Sequence, residues 1–253
     1  MKKLLVVLAL CMLFTACNNN ERETIILGMA SGFLPFNFIA DNGDGAIDMY
    51  SGVSVALVAA IAEELGIDVQ VRDQEFDGLL AALMSGEIDI IAAGMTITAD
   101  RLEQVNFSTP YFDARQTVIV LADNTAIQTV SDLEGMSVGV QLGTTGEISM
   151  TDADIDIDVV SYTIVATGIL ELIAGRIDAF VIDSPVAKGF LSQHPNLRSF
   201  TDDDFFEDEQ FGMAFNKNNV DLLNRFNAVL QRLVAEGYPD ILYNQYMAEL
   251  GLD

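Results

Sequence analysis

The sequence predicts an α/β chain folded into two similar lobes that face one cleft. Residues 83–94 and 172–183 nearly repeat each other, and each reads as an apolar helix end, a Gly stop, an Ile-Asp pair and a buried strand. Each strand then runs into polar groups, Gly94 and Thr96 in the first copy and Asp183 in the second. Because ligands bind beyond the carboxyl ends of parallel strands, we expect these groups at a shared site. Either copy alone is compatible with an ordinary helix-to-strand joint, and the repetition favours two lobes.

Apolar periodicity and Gly or Pro punctuation predict the other elements. Gly66 ends the first long helix, the Thr98 hydroxyl caps a turn that contains Arg101, and Pro185 lies in the first turn of a later helix. The predicted helices cover residues 53–65, 78–84, 169–174, 185–191, 220–236 and 240–250. The predicted strands cover residues 24–28, 69–71, 89–93, 116–121, 137–140, 178–182 and 211–215.

Two crossings between the lobes are expected to form a hinge. The first lobe is predicted to comprise residues 24–112 and 211–253, and the second lobe residues 116–206. The crossings are placed at residues 113–115 and 207–210. Such a pair of connections allows the lobes to close around a ligand.

The N-terminus is typical of a targeting segment. Two lysines precede an apolar run, residues 4–14, that is too short to span a bilayer as an ordinary helix. Small residues then precede Cys17, which resembles a bacterial lipoprotein signal in which residues 1–16 are removed and lipid is attached to the Cys17 thiol. Phe14 stands where Leu is usual, and an ordinary secretory signal remains the alternative. Residues 17–23 are predicted to be a linker, and we expect an extracytoplasmic protein that touches the membrane through its lipid anchor.

Charge excludes several classes of partner. The 253 residues carry a net charge of −26 with only 12 Lys and Arg, so nucleic acid is not expected to bind. Adsorption to anionic lipid headgroups is disfavoured for the same reason. The single histidine, His194, offers no metal site, and no cofactor is expected. In so acidic a chain, a buried arginine is conspicuous.

Several short motifs together resemble the family 3 solute-binding proteins of polar amino-acid importers. The match follows the order of the family signature over nearly the whole chain after the targeting segment. The resemblance implies the type II periplasmic-binding-protein fold, two α/β lobes joined by a two-strand hinge. It also implies a monomeric, non-enzymatic protein that binds a free L-amino acid and delivers it to an ABC permease. The motifs are residues 33–36, 76–79, 93–101, 107–111, 138–145 and 183–185.

The chemistry of an α-amino acid explains these residue types. Arg101 offers a planar fork that matches a carboxylate, and Thr145 and Gly146 offer N–H groups at a helix N-terminus. The resemblance implies that these three bind the ligand's α-carboxylate. It likewise implies that Asp183 holds the α-ammonium.

The remaining expected contacts also follow from the resemblance. Gly94 and Thr96 correspond to carbonyl and hydroxyl partners of the ammonium group. Phe33 and Phe76 correspond to the groups that sandwich the ligand's side chain.

Each of these residues has a plainer interpretation. Arg101 is also placed to pair with a neighbouring acid in its own helical turn. Asp183 is also placed to cap the helix at Pro185, and Thr145 to be a plain N-cap. Phe33 and Phe76 are also typical of core aromatics.

Two positions bear on which amino acid binds. Some family members that prefer basic or amide side chains carry an acid shortly before the position of Phe33, where this chain has Ala30 and Ser31. Ile182, before Asp183, is apolar as well. Gln141 still offers an amide to a polar side chain. The sequence therefore favours a neutral or polar ligand, and a hydrophobic wall does not strongly separate near-isosteres.

Two other functions use the same scaffold. Cyclohexadienyl dehydratases, which act on arogenate or prephenate, resemble this family and need a general acid in the cleft. Glu147 and Asp183 are the candidates, and neither has an obvious reactive partner. The other alternative is a ligand-sensing ectodomain, which the sequence does not separate from transport.

Overall fold

The computed structural model describes residues 22–40 and 47–252. The predicted signal peptide, Cys17 and most of the predicted linker lie outside the described residues. Within the described part, no helix is both long and apolar enough to cross a membrane. The strands are β1 Thr24–Met29, β2 Phe38–Ile39, β3 Tyr50–Ser51, β4 Asp68–Asp73, β5 Ile90–Ile91, β6 Val105–Phe107, β7 Phe112–Leu121, β8 Ser137–Gln141, β9 Asp158–Tyr162, β10 Ala179–Asp183, β11 Leu197–Phe200, β12 Asp208–Phe211 and β13 Ala214–Asn216. The helices are α1 Val53–Leu65, α2 Leu79–Ser85, α3 Ala99–Gln104, α4 Thr145–Thr151, α5 Val165–Ile173, α6 Ser184–Gln193, α7 Val220–Ala235 and α8 Tyr238–Glu249.

Two sheets with the same strand pattern divide the chain into two lobes. The first sheet has the order β4-β1-β5-β13-β6, in which β4, β1 and β5 run parallel and β13 runs antiparallel to both of its neighbours. The second sheet has the order β9-β8-β10-β7-β11, again with three parallel strands followed by antiparallel ones. This arrangement confirms the prediction of a two-lobed α/β fold.

The repeated sequence forms the same joint in both lobes. After α2, Asp89 donates its backbone N–H to the Ile26 carbonyl at 2.9 Å and accepts the Ile26 N–H on its carboxylate at 2.8 Å. After α5, Asp178 donates to the Ser137 carbonyl at 2.8 Å and accepts the Ser137 N–H on its carboxylate at 2.9 Å. Each aspartate therefore ties the helix exit to a parallel strand of its own sheet, β1 for Asp89 and β8 for Asp178. The Ile-Asp repeat in the sequence therefore corresponds to the same pair of hydrogen bonds in each lobe.

One pair of strands connects the lobes. The first part of β7 pairs with β12, from Phe112↔Phe211 to Arg115↔Asp208, and the rest of β7 enters the second sheet beside β10. The predicted hinge segment 113–115 lies in β7, and the predicted segment 207–210 lies in β12 except for residue 207. The lobe limits and the bending role of these segments stay predictions.

An aromatic cluster fastens both connecting strands to the first lobe. Phe112 of β7 and Phe211 of β12 pack against Phe36, with ring centroids 4.9 and 5.3 Å away. Tyr243 of α8 lies 5.0 Å from Phe112 and 5.8 Å from Phe36. Edge-to-face and tilted contacts at these distances are favourable beyond the apolar area they bury.

The structure differs from the predicted elements where the chain changes sheets. The predicted strand 211–215 is two strands, because β12 ends at Phe211 and β13 begins at Ala214. Gly212 lies between them, where a Cβ would come within 2.8 Å of Ile97. Strand β7 begins at Phe112, earlier than predicted, because β12 pairs with its first residues. The sequence did not indicate β11.

Helix α5 packs against the second sheet through a glycine. A Cβ on Gly168 would lie 2.1 Å from Cε2 of the fully buried Phe180. We expect Gly168→Ala to lower the free energy of unfolding by about 1–3 kcal/mol, because overpacking outweighs the better helix propensity of alanine. Urea denaturation followed by circular dichroism measures this change.

Gly189→Ala is the matched control, because Gly189 also lies within a helix but its Cβ would meet only the flexible tip of Leu252 at 3.3 Å. We expect this variant to be at least as stable as the wild type. Equal stability changes for the two variants would contradict the packing argument.

Candidate functional site

The predicted site residues converge on a small cavity between the lobes. It has a volume of about 10 Å³, room for roughly one water molecule. Of the predicted ligand-binding residues, only Gly146 is not part of its lining. The lining comprises Phe33, Phe76, Gly94, Thr96, Arg101, Gln141, Thr144, Thr145 and Asp183.

Arg101 enters the cavity from the first lobe. Its backbone N–H donates to the Thr98 hydroxyl, which caps α3 at 3.2 Å. Its guanidinium donates to the Thr96 carbonyl at 2.7 Å and to the Gly143 carbonyl, in the second lobe, at 3.0 Å. The guanidinium carbon lies 5.7 Å from the Phe76 ring centroid, within cation–π range.

The plainer interpretation of Arg101 does not fit this geometry. Its side chain donates to the Thr96 carbonyl in its own lobe and to the Gly143 carbonyl across the cleft, not to the acids of its own turn, and the residue is only 6% exposed. Burial lowers the pKa of Arg101, while the charges of Glu209 and Asp183 act to raise it. An arginine nevertheless remains a cation in a protein. The cavity therefore contains a buried positive charge.

Asp183 faces the cavity from the second lobe. It ends β10 and precedes α6, but its side chain makes no capping bond, so helix capping does not explain it. One carboxylate oxygen accepts the Gln116 amide N–H at 3.0 Å. Burial, and after it the negative charge of Glu209, raises the pKa of Asp183 to about 8.

Glu209 is a site residue that the sequence did not reveal. It lies on β12, and one carboxylate oxygen accepts hydrogen bonds from the hydroxyls of Thr96 and Thr145 and from the Gln116 amide, at 3.0, 3.1 and 3.1 Å. The surrounding acidic run, residues 201–209, looks like a solvated surface segment. Strand alternation was the available signal, because it puts Glu209 on the same face as the buried Phe211.

The N-terminus of α4 differs in detail from its prediction. Thr144 is the N-cap and accepts the Glu147 N–H at 3.3 Å, so Thr145 is the first helical residue and not the cap. Gly146 faces Gln116, and a Cβ there would lie 2.9 Å from the Gln116 amide oxygen. Gly146 therefore leaves space for Gln116 to reach Asp183 and Glu209.

Gly94 and Phe33 fit each other closely. Gly94 has a φ of 62°, in the left-handed region that favours glycine. A Cβ on Gly94 would lie 2.4 Å from the Phe33 ring. Phe33 also packs on Phe36 with ring centroids 5.9 Å apart, so it serves the core and the cavity together.

A second cavity of about 330 Å³ adjoins the first. Its walls come from residues 30–33 and 73–75 in the first lobe and from Gln141 and residues 163–165 in the second. Phe33 and Gln141 line both cavities. Neither the sequence motifs nor the resemblance predicted residues 73–75 as part of the site.

Comparison with known proteins identifies the family. Residues 25–249 match the bacterial extracellular solute-binding proteins, family 3. The chain belongs to this family, whose members act outside the cytoplasmic membrane.

Relatives of known description have similar lengths. A probable histidine-binding protein of Campylobacter jejuni is 35% identical, over 92% of this chain and 93% of its own. The arginine-binding extracellular protein ArtP of Bacillus subtilis is 30% identical over 94% of both chains. A crystal structure of a mutant ArgBP from T. maritima superposes with a TM-score of 0.80, at 38% identity, covering 89% of this chain and 95% of that one.

The raised pKa of Asp183 gives the ligand-free protein a defined pH dependence. The folded chain holds this proton up to a pKa of about 8, whereas 3.8 is the ordinary value. Between those values the folded state binds more protons than the unfolded state, so this contribution to stability falls as pH rises. This contribution to stability is fully present below the ordinary pKa of 3.8. It is lost as pH rises through the folded-state pKa of about 8.

We therefore expect Asp183→Asn to gain stability relative to the wild type as pH rises from 4 to 8. The asparagine keeps an oxygen for Gln116 and removes the charge that faces Glu209 and Arg101. Urea denaturation at several pH values measures the difference. Exposed Asp123→Asn is the control and should stay parallel to the wild type. If the stability of Asp183→Asn changed with pH in parallel with that of the wild type, the raised pKa of Asp183 would be refuted.

Proposed function

We propose that this chain binds one free L-amino acid between its lobes and delivers it to the permease of an ABC importer. A single observation carries the proposal: Arg101 of the first lobe and Asp183 of the second line the same buried cavity. A guanidinium and a carboxylate on opposite walls match the two charged ends of a zwitterion.

The α-carboxylate is assigned to Arg101 and the α-ammonium to Asp183. Arg101 supplies a charge-assisted fork, and Thr145 adds a hydroxyl on the opposite lobe. When the ligand binds, Asp183 releases its proton to solvent, and its carboxylate pairs with the positive charge of the ammonium. Thr96 and the Gly94 carbonyl complete the ammonium site, while Phe33 and Phe76 flank the ligand's side chain.

Ligand entry requires the lobes to open. The small cavity is too small for an amino acid. Arg101 bonds to the Gly143 carbonyl across the cleft, and a Cβ on Gly143 would lie 3.0 Å from the Asp77 Cα. Opening at the two connecting strands breaks these contacts, and closing on a ligand lets its carboxylate take the place of the Gly143 carbonyl at Arg101. The closed form is the one we expect a permease to recognise.

The relatives support the class of ligand and the location. Proteins described as binding histidine or arginine share most of this chain's length. We further propose that the chain works as a monomer outside the cytoplasmic membrane, tethered by lipid on Cys17 after removal of residues 1–16. A sensing role, in which the ligand-bound chain contacts a receptor instead of a permease, would use the same site and the same ligand.

A dehydratase on this scaffold is the second candidate function. Asp183, with a pKa of about 8, is a carboxylic acid that retains its proton at neutral pH, as a general acid must. Glu147 does not serve, because its carboxylate is bound to the Gly143 N–H and the Ser161 hydroxyl outside the cavity lining. Incubation with arogenate or prephenate, followed by ultraviolet absorbance, distinguishes this candidate from a binding protein.

The assignment of Arg101 gives a direct binding test. We expect Arg101→Lys to weaken amino-acid binding about 30-fold or more, because a point charge does not replace the bidentate fork at a buried carboxylate. Isothermal titration calorimetry measures the affinity, and thermal unfolding shows whether the variant is folded.

Arg72→Lys is the matched control, since Arg72 pairs with Glu87 on the surface of the same lobe. We expect its affinity to equal that of the wild type. A folded Arg101→Lys variant with unchanged affinity would refute the proposed carboxylate site.

A further inference from the structure

The larger cavity has the size and position of a subsite for the ligand's side chain. Its volume of about 330 Å³ falls within the range of small-molecule pockets. Its walls are the residues at and just beyond the carboxyl ends of parallel strands β1, β4, β8 and β9. Phe33 and Gln141 line both this cavity and the one that contains Arg101 and Asp183. A ligand held by its α-carbon groups in the small cavity therefore has this space beside it.

The charge of the larger cavity is negative. Asp73 and Glu75 belong to its lining, and none of the Lys, Arg or His residues in the described part of the chain does. One oxygen of Asp73 accepts the Ser31 backbone N–H at 2.9 Å, which leaves the other oxygen for a ligand. Glu75 has no hydrogen bond or ion pair from its side chain among residues 22–40 and 47–252.

Gln141 independently indicates a polar ligand group. This residue is only 8% exposed, at the end of β8. Its side-chain amide has no hydrogen-bond partner among the described residues, although it lines both cavities. The amide is therefore available to a ligand from either cavity, on a residue whose surface is otherwise largely buried. Its carbonyl oxygen is an acceptor for an N–H of the ligand's side chain.

We propose that Asp73, Glu75 and Gln141 form a side-chain subsite for a cation, so that the ligand is a basic α-amino acid. This inference rests on the proposed function. The Phe33 ring, on the shared wall, adds a surface that favours a cation. The sequence favoured a neutral or polar ligand because Ala30 and Ser31 carry no charge. The acids instead come from the end of β4, which the parallel pairing of β1 and β4 puts beside that loop.

Arginine and citrulline are the matched probes. They have the same length and shape, but citrulline has a neutral urea group where arginine has a guanidinium. We expect the wild type to bind L-arginine at least about tenfold more tightly than L-citrulline, the ratio that one charge-assisted contact supplies. Calorimetry at physiological salt measures both, with L-lysine and L-glutamine as a second charged and neutral pair.

Two variants test whether Asp73 and Glu75 cause the preference for arginine over citrulline. Asp73→Asn keeps an acceptor for Ser31, and Glu75→Gln changes an exposed side chain. We expect Asp73→Asn to weaken arginine binding about tenfold, Glu75→Gln to weaken it less, and both to leave citrulline within about twofold. Asp123→Asn, an exposed turn residue that makes the same change in net charge, should leave both ligands unaffected.

The outcomes separate this inference from the function on which it rests. If citrulline or glutamine binds as tightly as arginine, the subsite is wrong and the amino-acid site stands. Equal losses for arginine and citrulline in the two variants also overturn it. If no amino acid binds to folded protein, both proposals fail. If a variant does not fold, the arginine-to-citrulline ratio of the wild type decides.

Discussion

A buried guanidinium that faces two carboxylates across a cleft is the interaction on which the rest of the site depends. Arg101 belongs to the first lobe, Asp183 to the second, and Glu209 to a strand that connects them. Removing an arginine from water is costly unless acceptors and opposite charge surround it. Here the carbonyls of Thr96 and Gly143 supply the acceptors, Glu209 supplies negative charge, and Asp183 adds to that charge at pH values above its pKa of about 8. The energetics of this arrangement therefore depend on groups from both lobes.

The polar network around Glu209 does not satisfy all of its hydrogen-bonding groups. The Gln116 amide donates towards Asp183, Thr145 and Glu209 together, while its own buried oxygen has no partner among the described residues. An amide nitrogen has two hydrogens, so it cannot satisfy three acceptors fully. The network therefore leaves hydrogen-bonding groups unsatisfied, which is consistent with the proposed ammonium site.

The sequence predicted those parts of the molecule that local pattern specifies. Helix α1 has the predicted limits, because apolar periodicity and the left-handed Gly66 define both ends. The motif residues reached a common cavity because they follow strands whose order the repeat implied. Glu209 was missed because an acidic run hides a strand that pairs only with the distant β7. Asp73 and Glu75 were missed because β4 joins the site through its pairing with β1. Both omissions concern pairing between strands that are far apart in the sequence, which the local residue pattern does not specify.

The aromatic cluster at the crossing also bears on which lobe would move in the proposed closure. Phe112 and Phe211, one from each connecting strand, are both packed on Phe36 of the first lobe. We therefore expect any bending of these strands to occur beyond this anchor, on the side that leads to the second lobe. In that case the second lobe moves and the first stays fixed to the crossing. A pair of fluorescent dyes, one on each lobe, would thus report closure best with its second member far from the cluster, near the outer end of α4.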